Sequence, residues 1–109
     1  MKPMKRMKRT PMSTKRVLQN AIVLLETAGW CQHVGKDKDG QYCAVGAINH
    51  VLRRATKPMD KYDDARDTVQ TAIRAHKFRQ SGVVSWNDTK GRTKAQVLNV
   101  FRTAIQLAG

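Results

Sequence analysis

Residues 13–30 read Ser-Thr-Lys-Arg-Val-Leu-Gln-Asn-Ala-Ile-Val-Leu-Leu-Glu-Thr-Ala-Gly-Trp. Leu18, Ile22 and Leu25 recur at the helical period, and Val17, Ala21 and Leu24 widen the same stripe. Ser13 can accept a hydrogen bond from a first-turn amide, and Gly29 can take the left-handed stop. The stretch therefore predicts an amphipathic helix from Ser13 or Thr14 to Ala28, with Trp30 folding back onto its last turn. Such a helix must bury its apolar stripe against other elements.

Those elements lie downstream. Residues 31–42 are polar and turn-rich, and Asp39-Gly40 is a favourable tight-turn pair. A small hairpin or an ordered loop fits there. Ala44, Ala47, Ile48, Val51 and Leu52 predict a second helix over Cys43–Ala55, ended by Pro58. Gly46 inside it costs up to about 1 kcal/mol relative to alanine, which points to close packing. A third helix is expected from Asp60 to Arg79, with Tyr62, Ala65, Val69, Ala72, Ile73 and His76 inward. Asp63, Asp64 and Asp67 cluster at its start and Arg74, Lys77 and Arg79 at its end, as the helix dipole favours. Gly82 closes it, Val83–Trp86 reads as a short extended piece, and Asn87–Gly91 as a turn. Thr93 and Gln96 have capping-box spacing before a last helix with Val97, Leu98, Phe101, Ala104 and Ile105 inward. The expected fold is a single, mostly α, compact four-helix domain over residues 13–109, behind a disordered basic arm over residues 1–12.

The length of 109 residues suits about one domain, and 40% hydrophobic residues suit one modest core. No apolar run approaches the roughly 18 residues of a membrane span. These bounds exclude a multidomain enzyme, an integral membrane protein and a collagen-like fibre. The formal net charge is +13, from 21 basic and 8 acidic residues. The first 16 residues hold seven of the cations, Lys2, Lys5, Arg6, Lys8, Arg9, Lys15 and Arg16, and no acid, so the remainder carries +6. A start at Met12 would remove five of those cations and leave +8. Such a surplus points to a polyanionic partner. Cys31 and Cys43 are too few for a disulfide scaffold, and Ala21–Leu25 is too short for a secretory core, so a cytoplasmic protein with reduced thiols is expected.

Gly29-Trp30, Cys43-Ala44-Val45-Gly46-Ala47, Trp86-Asn87-Asp88, Gly91-Arg92-Thr93 and Val97-Leu98 together resemble an uncharacterised family of small bacterial and phage proteins. Its pattern has a Cys-x-x-Gly-Ala helix and a Trp-Asn-Asp turn leading through Gly-Arg-Thr into the final helix. The resemblance covers about residues 14–108. It implies a fold class and a phage origin, and no activity. The basic arm lies outside it.

Four groups invite chemistry. Cys31, His33, Cys43 and His50 are zinc-compatible, but their spacing matches no common finger, and no metal or other cofactor is expected. Cys43 at a helix start would have its pKa lowered by the dipole, yet no histidine stands in a recognisable catalytic context, so no enzymatic activity is expected. Trp86-Asn87-Asp88 is either a recognition loop or, as favoured, a core plug followed by an Asx-type turn. Trp30, Cys43, Gly46 and Thr93 are likewise read as structural, and Arg92 as able to pair with Asp88. Among the basic clusters, Arg53-Arg54-Lys57 and Arg74-Lys77-Arg79 are discounted as helix-end cations. Lys90, Arg92 and Lys94 precede and open a helix, where the dipole disfavours cations, and so make the best phosphate contact in the body. The expected function is a small non-enzymatic nucleic-acid-binding accessory protein, using the arm cations with Lys90, Arg92 and Lys94. The alternative is a phage-encoded modulator that binds a host protein.

Overall fold

The first helix forms as its period predicts. In a computed structural model, which describes residues 9–109, Thr14–Ala28 is α1. Ser13 Oγ accepts from Arg16 N at 3.1 Å, and the chain leaves through Gly29 at φ 104°. Val17, Leu18, Ala21, Ile22 and Leu25 are buried. Four further helices follow: α2 (Ala44–Leu52), α3 (Pro58–Ala75), α4 (Val83–Asn87) and α5 (Lys94–Ala108). The fold is mostly helical, with four long helices and one short one. Helix α1 packs on α2 and α5, and α3 closes the other side against α5, α2 and α1. Helices α1 and α5 run antiparallel, since Glu26 pairs with Arg102 at 3.6 Å and Lys15 Nζ lies beside the Gly109 backbone. The Thr93–Gln96 capping box is present at the start of α5. Val100, outside the expected stripe, joins Val97, Phe101 and Ala104 in the core, while Leu98 and Ile105 are only partly buried.

Residues 29–43 form an ordered loop, pinned by isolated bridges from Trp30 and Lys36 to Tyr42. The Asp39-Gly40 turn is built by Asp37, whose Oδ1 accepts from Asp39 N and Gln41 N. The loop presses so closely on α2 that a Cβ at Gly46 would run into the Gly35 carbonyl. Close packing is thus the reason for a glycine in mid-helix.

Several expectations change. Residues 83–87 are helical, not extended, although valines favour strands. Only a helical turn brings Val83, Trp86 and Asn87 to one side, and all three are buried there. Pro58 opens α3 at its first position instead of merely ending the preceding element, behind Lys57 in the left-handed region at φ 49°. Helix α3 also stops at Ala75, short of Arg79. Lys77 turns at φ 68° and Phe78 N returns to Ile73 O, which carries the Phe78 ring to 5.6 Å from Trp86, edge on. His76, expected inward, is exposed and hydrogen-bonds Thr103 Oγ1 at 2.7 Å.

A further change is at the N-terminus. Lys2, Lys5, Arg6 and Lys8 of the expected arm lie outside the described residues. Residues 9–12, expected as part of the arm, are held against the body. Thr10 N donates to Arg54 O at 2.8 Å, Thr56 N donates to Thr10 O at 3.1 Å, and Arg9 Nη1 donates to Ala55 O at 3.2 Å. That docking draws the chain into a turn after Leu52, ending α2 three residues before the expected Ala55.

Asn87 ties these pieces together. Its side chain is fully buried, and every hydrogen-bonding position of the carboxamide is used. Oδ1 accepts from Trp30 Nε1 at 2.7 Å and from Ala44 N at 2.9 Å. Nδ2 donates to Cys31 O at 3.2 Å and to Asp88 Oδ1 at 2.9 Å. Replacing it leaves two buried donors and a buried carbonyl unpaired, each a costly group. Asn87→Ala is expected to lower stability by about 2–4 kcal/mol in urea unfolding, with Asn87→Asp no better because a carboxylate cannot donate.

Candidate functional site

The Trp86-Asn87-Asp88 segment is structural in its contacts. Trp86 is fully buried. Asp88 Oδ1 accepts from His33 N at 2.8 Å, which holds His33 at the unusual φ of 76°. Gln32 Nε2 donates to the carbonyls of Asn87 and Thr89, both at 3.0 Å.

Arg92 belongs to the same construction. Its guanidinium lies over the Phe78 ring at 4.4 Å and the Trp86 ring at 4.6 Å. Nε donates to Trp86 O at 2.9 Å and Nη1 to Gln96 Oε1 at 3.2 Å. Burial pushes its pKa down from the usual arginine value. It pairs with these groups and not with Asp88. Of the expected phosphate contacts in the body, Arg92 is therefore committed internally, while Lys90 and Lys94 are exposed. Those two stand at the start of α5, whose 15 residues span about 22 Å. Lys15 lies at its other end, so Lys90 and Lys94 form no single patch with the N-terminal cations.

The cysteines are free. Cys43 is the N-cap of α2, with Sγ accepting from Gly46 N at 3.2 Å, which favours the thiolate. Burial outweighs that contact and pushes the Cys43 thiol up, contrary to the lowering expected at a helix start. The Cys31 thiol is also pushed up, first by burial and then by the nearby Asp37 and Cys43. Among the described residues no three of the His, Cys, Asp and Glu side chains gather as metal ligands. His50, one of the four zinc-compatible residues, instead has Nδ1 3.2 Å from Tyr42 Oη.

What the structure does gather is arginine. A cleft of about 530 Å3 is lined by Arg16, Arg54, Ser13 and Asn20 on a floor of Met12 and Val51. A second, of about 330 Å3, shares Asn20 and Val51 and adds Leu24, His50 and Arg53. A third, of about 260 Å3, shares Arg53 and adds Arg9, Asn49, Leu52, Met59 and Tyr62. The first and second share two wall residues and the second and third share Arg53, so the three follow one another around the C-terminal half of α2 and are together termed the trough. Arg9, Arg16, Arg53 and Arg54 line it, and no carboxylate does. Arg9 and Arg53 each spend a guanidinium donor on a backbone carbonyl, Ala55 O and His50 O, and an arginine has five. Two of the four acids of α3 are engaged elsewhere: Asp63 and Asp67 pair with Arg66 at 3.5 and 3.3 Å. His50 registers the local field, its pKa lowered by burial and then by Arg53, Lys36 and Arg54. By sequence alone Arg53 and Arg54 read as helix-end cations. The pairing of Thr10 with Ala55 brings Arg9 to them, and the packing of α1 on α2 brings Arg16.

A profile of a family of unknown function, DUF6197, matches residues 9–107, and the chain belongs to that family. The match begins at Arg9, where the described backbone is first held against the body. No curated protein and no solved structure matches the chain.

Two measurements probe these environments. His50 has a folded pKa below its ordinary 6.5, so the unfolded chain takes up the proton first as pH falls. Its contribution to stability is therefore present above about pH 6.5 and lost as pH drops through the folded pKa. His50→Gln is expected to flatten unfolding free energy against pH across that window. At pH 7, Cys43 is expected to alkylate much more slowly in the native protein than in urea, because its buried thiol is rarely ionised.

Proposed function

For this member of a family of unknown function, we propose a small non-enzymatic protein that binds nucleic acid through its phosphate backbone, with little sequence preference. The observation that carries the reading is the trough around α2, lined by four arginines and no carboxylate. Gathering like charges raises the energy of the folded state, and the backbone contacts of Arg9 and Arg53 use only part of their donors. Arginine presents a planar fork of donors suited to phosphate oxygens. The sequence adjoining Arg9 supplies Lys2, Lys5, Arg6 and Lys8, so the most basic part of the chain leads into the trough. Lys90 and Lys94 stand at the far end of α5 and are secondary in this reading.

A second reading, a phage-encoded modulator that binds a host protein, draws on the opposite end of α2. There Val34 and Val84, 49% and 53% exposed, flank a cleft of about 190 Å3 beside Asp88. Capture from host lysate treated with nuclease at high salt separates the two, since only a protein partner survives.

Binding of a labelled oligonucleotide should weaken steeply with salt, because each neutralised phosphate releases counterions. Deleting residues 1–8 removes four cations and is expected to reduce the log–log salt slope by about 3–4 units. Arg53→Glu with Arg54→Glu is expected to cost at least about tenfold in affinity, against less than about threefold for Lys90→Glu with Lys94→Glu. A salt slope untouched by the deletion together with equal losses from the two pairs would overturn the reading.

A further inference from the structure

We propose that the trough around α2 takes single-stranded nucleic acid, with unstacked bases on its floor and phosphates at its rim. This rests on the nucleic-acid reading above and goes beyond it by naming the form of the strand. The rim chemistry is charged, but the floor is not. Met12, Leu24, Val51, Leu52, Met59 and Tyr62 line the three neighbouring clefts along with the four arginines. Met59 is 74% exposed and Val23, in the middle cleft, 53%. A purely electrostatic seat for duplex phosphates gains nothing from exposed apolar groups between its cations. A duplex keeps its bases stacked inside and offers a convex backbone, which would leave this floor in water.

A single strand offers both chemistries at once. Its bases can leave the stack, bury apolar floor and lie against guanidinium planes, while its phosphates meet the same arginines. Asn20 and Asn49, in the walls of the trough, can hydrogen-bond base edges without demanding one base. Single-strand binders commonly stack bases on successive aromatic rings. Here Tyr62 and the His50 imidazole are the aromatic rings in the lining, so stacking is shared with arginine, and the expected binding is sequence-tolerant and strongly salt-dependent. The absence of a lining carboxylate supplies the charge complementarity that an anionic strand needs and an acid-poor peptide would not use.

The test is fluorescence anisotropy with the full chain, using a labelled 20-nucleotide single strand of mixed sequence and the duplex formed from it at the same salt. The single strand is expected to bind at least about tenfold more tightly. Val23→Ser with Met59→Ser removes exposed floor without changing charge and should weaken the single strand about fivefold or more, leaving the duplex within twofold. Arg53→Lys keeps the charge but loses the stacking plane and should show the same asymmetry. Both variants alter exposed or half-exposed side chains, and an unchanged melting temperature confirms their fold. Equal or tighter duplex binding, or equal effects of the floor variants on both probes, overturns the single-strand assignment and leaves the phosphate-binding reading standing. No salt-sensitive binding of either probe overturns both.

Discussion

The buried carboxamide of Asn87 is the constraint from which the rest of the architecture follows. A polar group with no solvent access must be fully satisfied, and this one accepts from Trp30 Nε1 and Ala44 N and donates to Cys31 O and Asp88 Oδ1. Three of those partners come from the exit of α1, the first residue of α2 and the loop between them, and the fourth is the neighbouring Asp88. One side chain on a short helix therefore fixes where α2 begins and how the loop lies across it. The close approach of Gly35 to Gly46 keeps that placement, since any side chain there would push the loop away. With the start of α2 fixed and nine residues along its length, the position of Arg53 and Arg54 beside α1 is also fixed.

The aromatic group at the other side of Asn87 shows why the most suggestive basic residue of the sequence is not a ligand contact. Trp86 is fully buried but its indole N–H has no partner among the described residues, so its place rests on ring packing. Phe78 meets one edge of it, and the Arg92 guanidinium covers both rings while bonding the Trp86 carbonyl. A stacked and hydrogen-bonded arginine closes the core where the chain turns into α5. A cation that opens a helix is disfavoured by the dipole, and this packing offsets that cost without any ligand.

How far the sequence reaches follows from the range of each interaction. The helices over 14–28 and 94–108 were legible because a 3.6-residue apolar stripe, a capping serine and a Thr-x-x-Gln box are local. The close-packing role of Gly46 and the core role of Trp86 were legible too, from the penalty of a mid-helix glycine and the size of the indole. The helical turn at 83–87 was not, because local preference for Val83 and Val84 is extended and the deciding contacts are with Trp30 and Ala44, about 40 residues or more away. The same limit hid the trough. Arg53 and Arg54 do what helix-end cations do, with Arg53 bonding His50 O, and only the bridge from Thr10 to Ala55 and the packing of α1 on α2 reveal that Arg9 and Arg16 stand beside them.

The charge of the molecule is thus divided by role, and the division bears on what the surplus is for. Arg66 lies between two aspartates, Arg102 pairs with Glu26 and Arg92 is stacked over rings, so these cations are accounted for by folding. The trough collects four arginines in three neighbouring clefts whose lining holds no acid, although eight acids are available in the sequence. The His50 pKa is lowered first by burial, and Arg53, Lys36 and Arg54 add their opposition to its protonation. An anion seated in the trough would reverse that opposition and raise the His50 pKa. His50 lies in the lining of the middle cleft and would therefore report, from inside the site, an anion that offsets those cations.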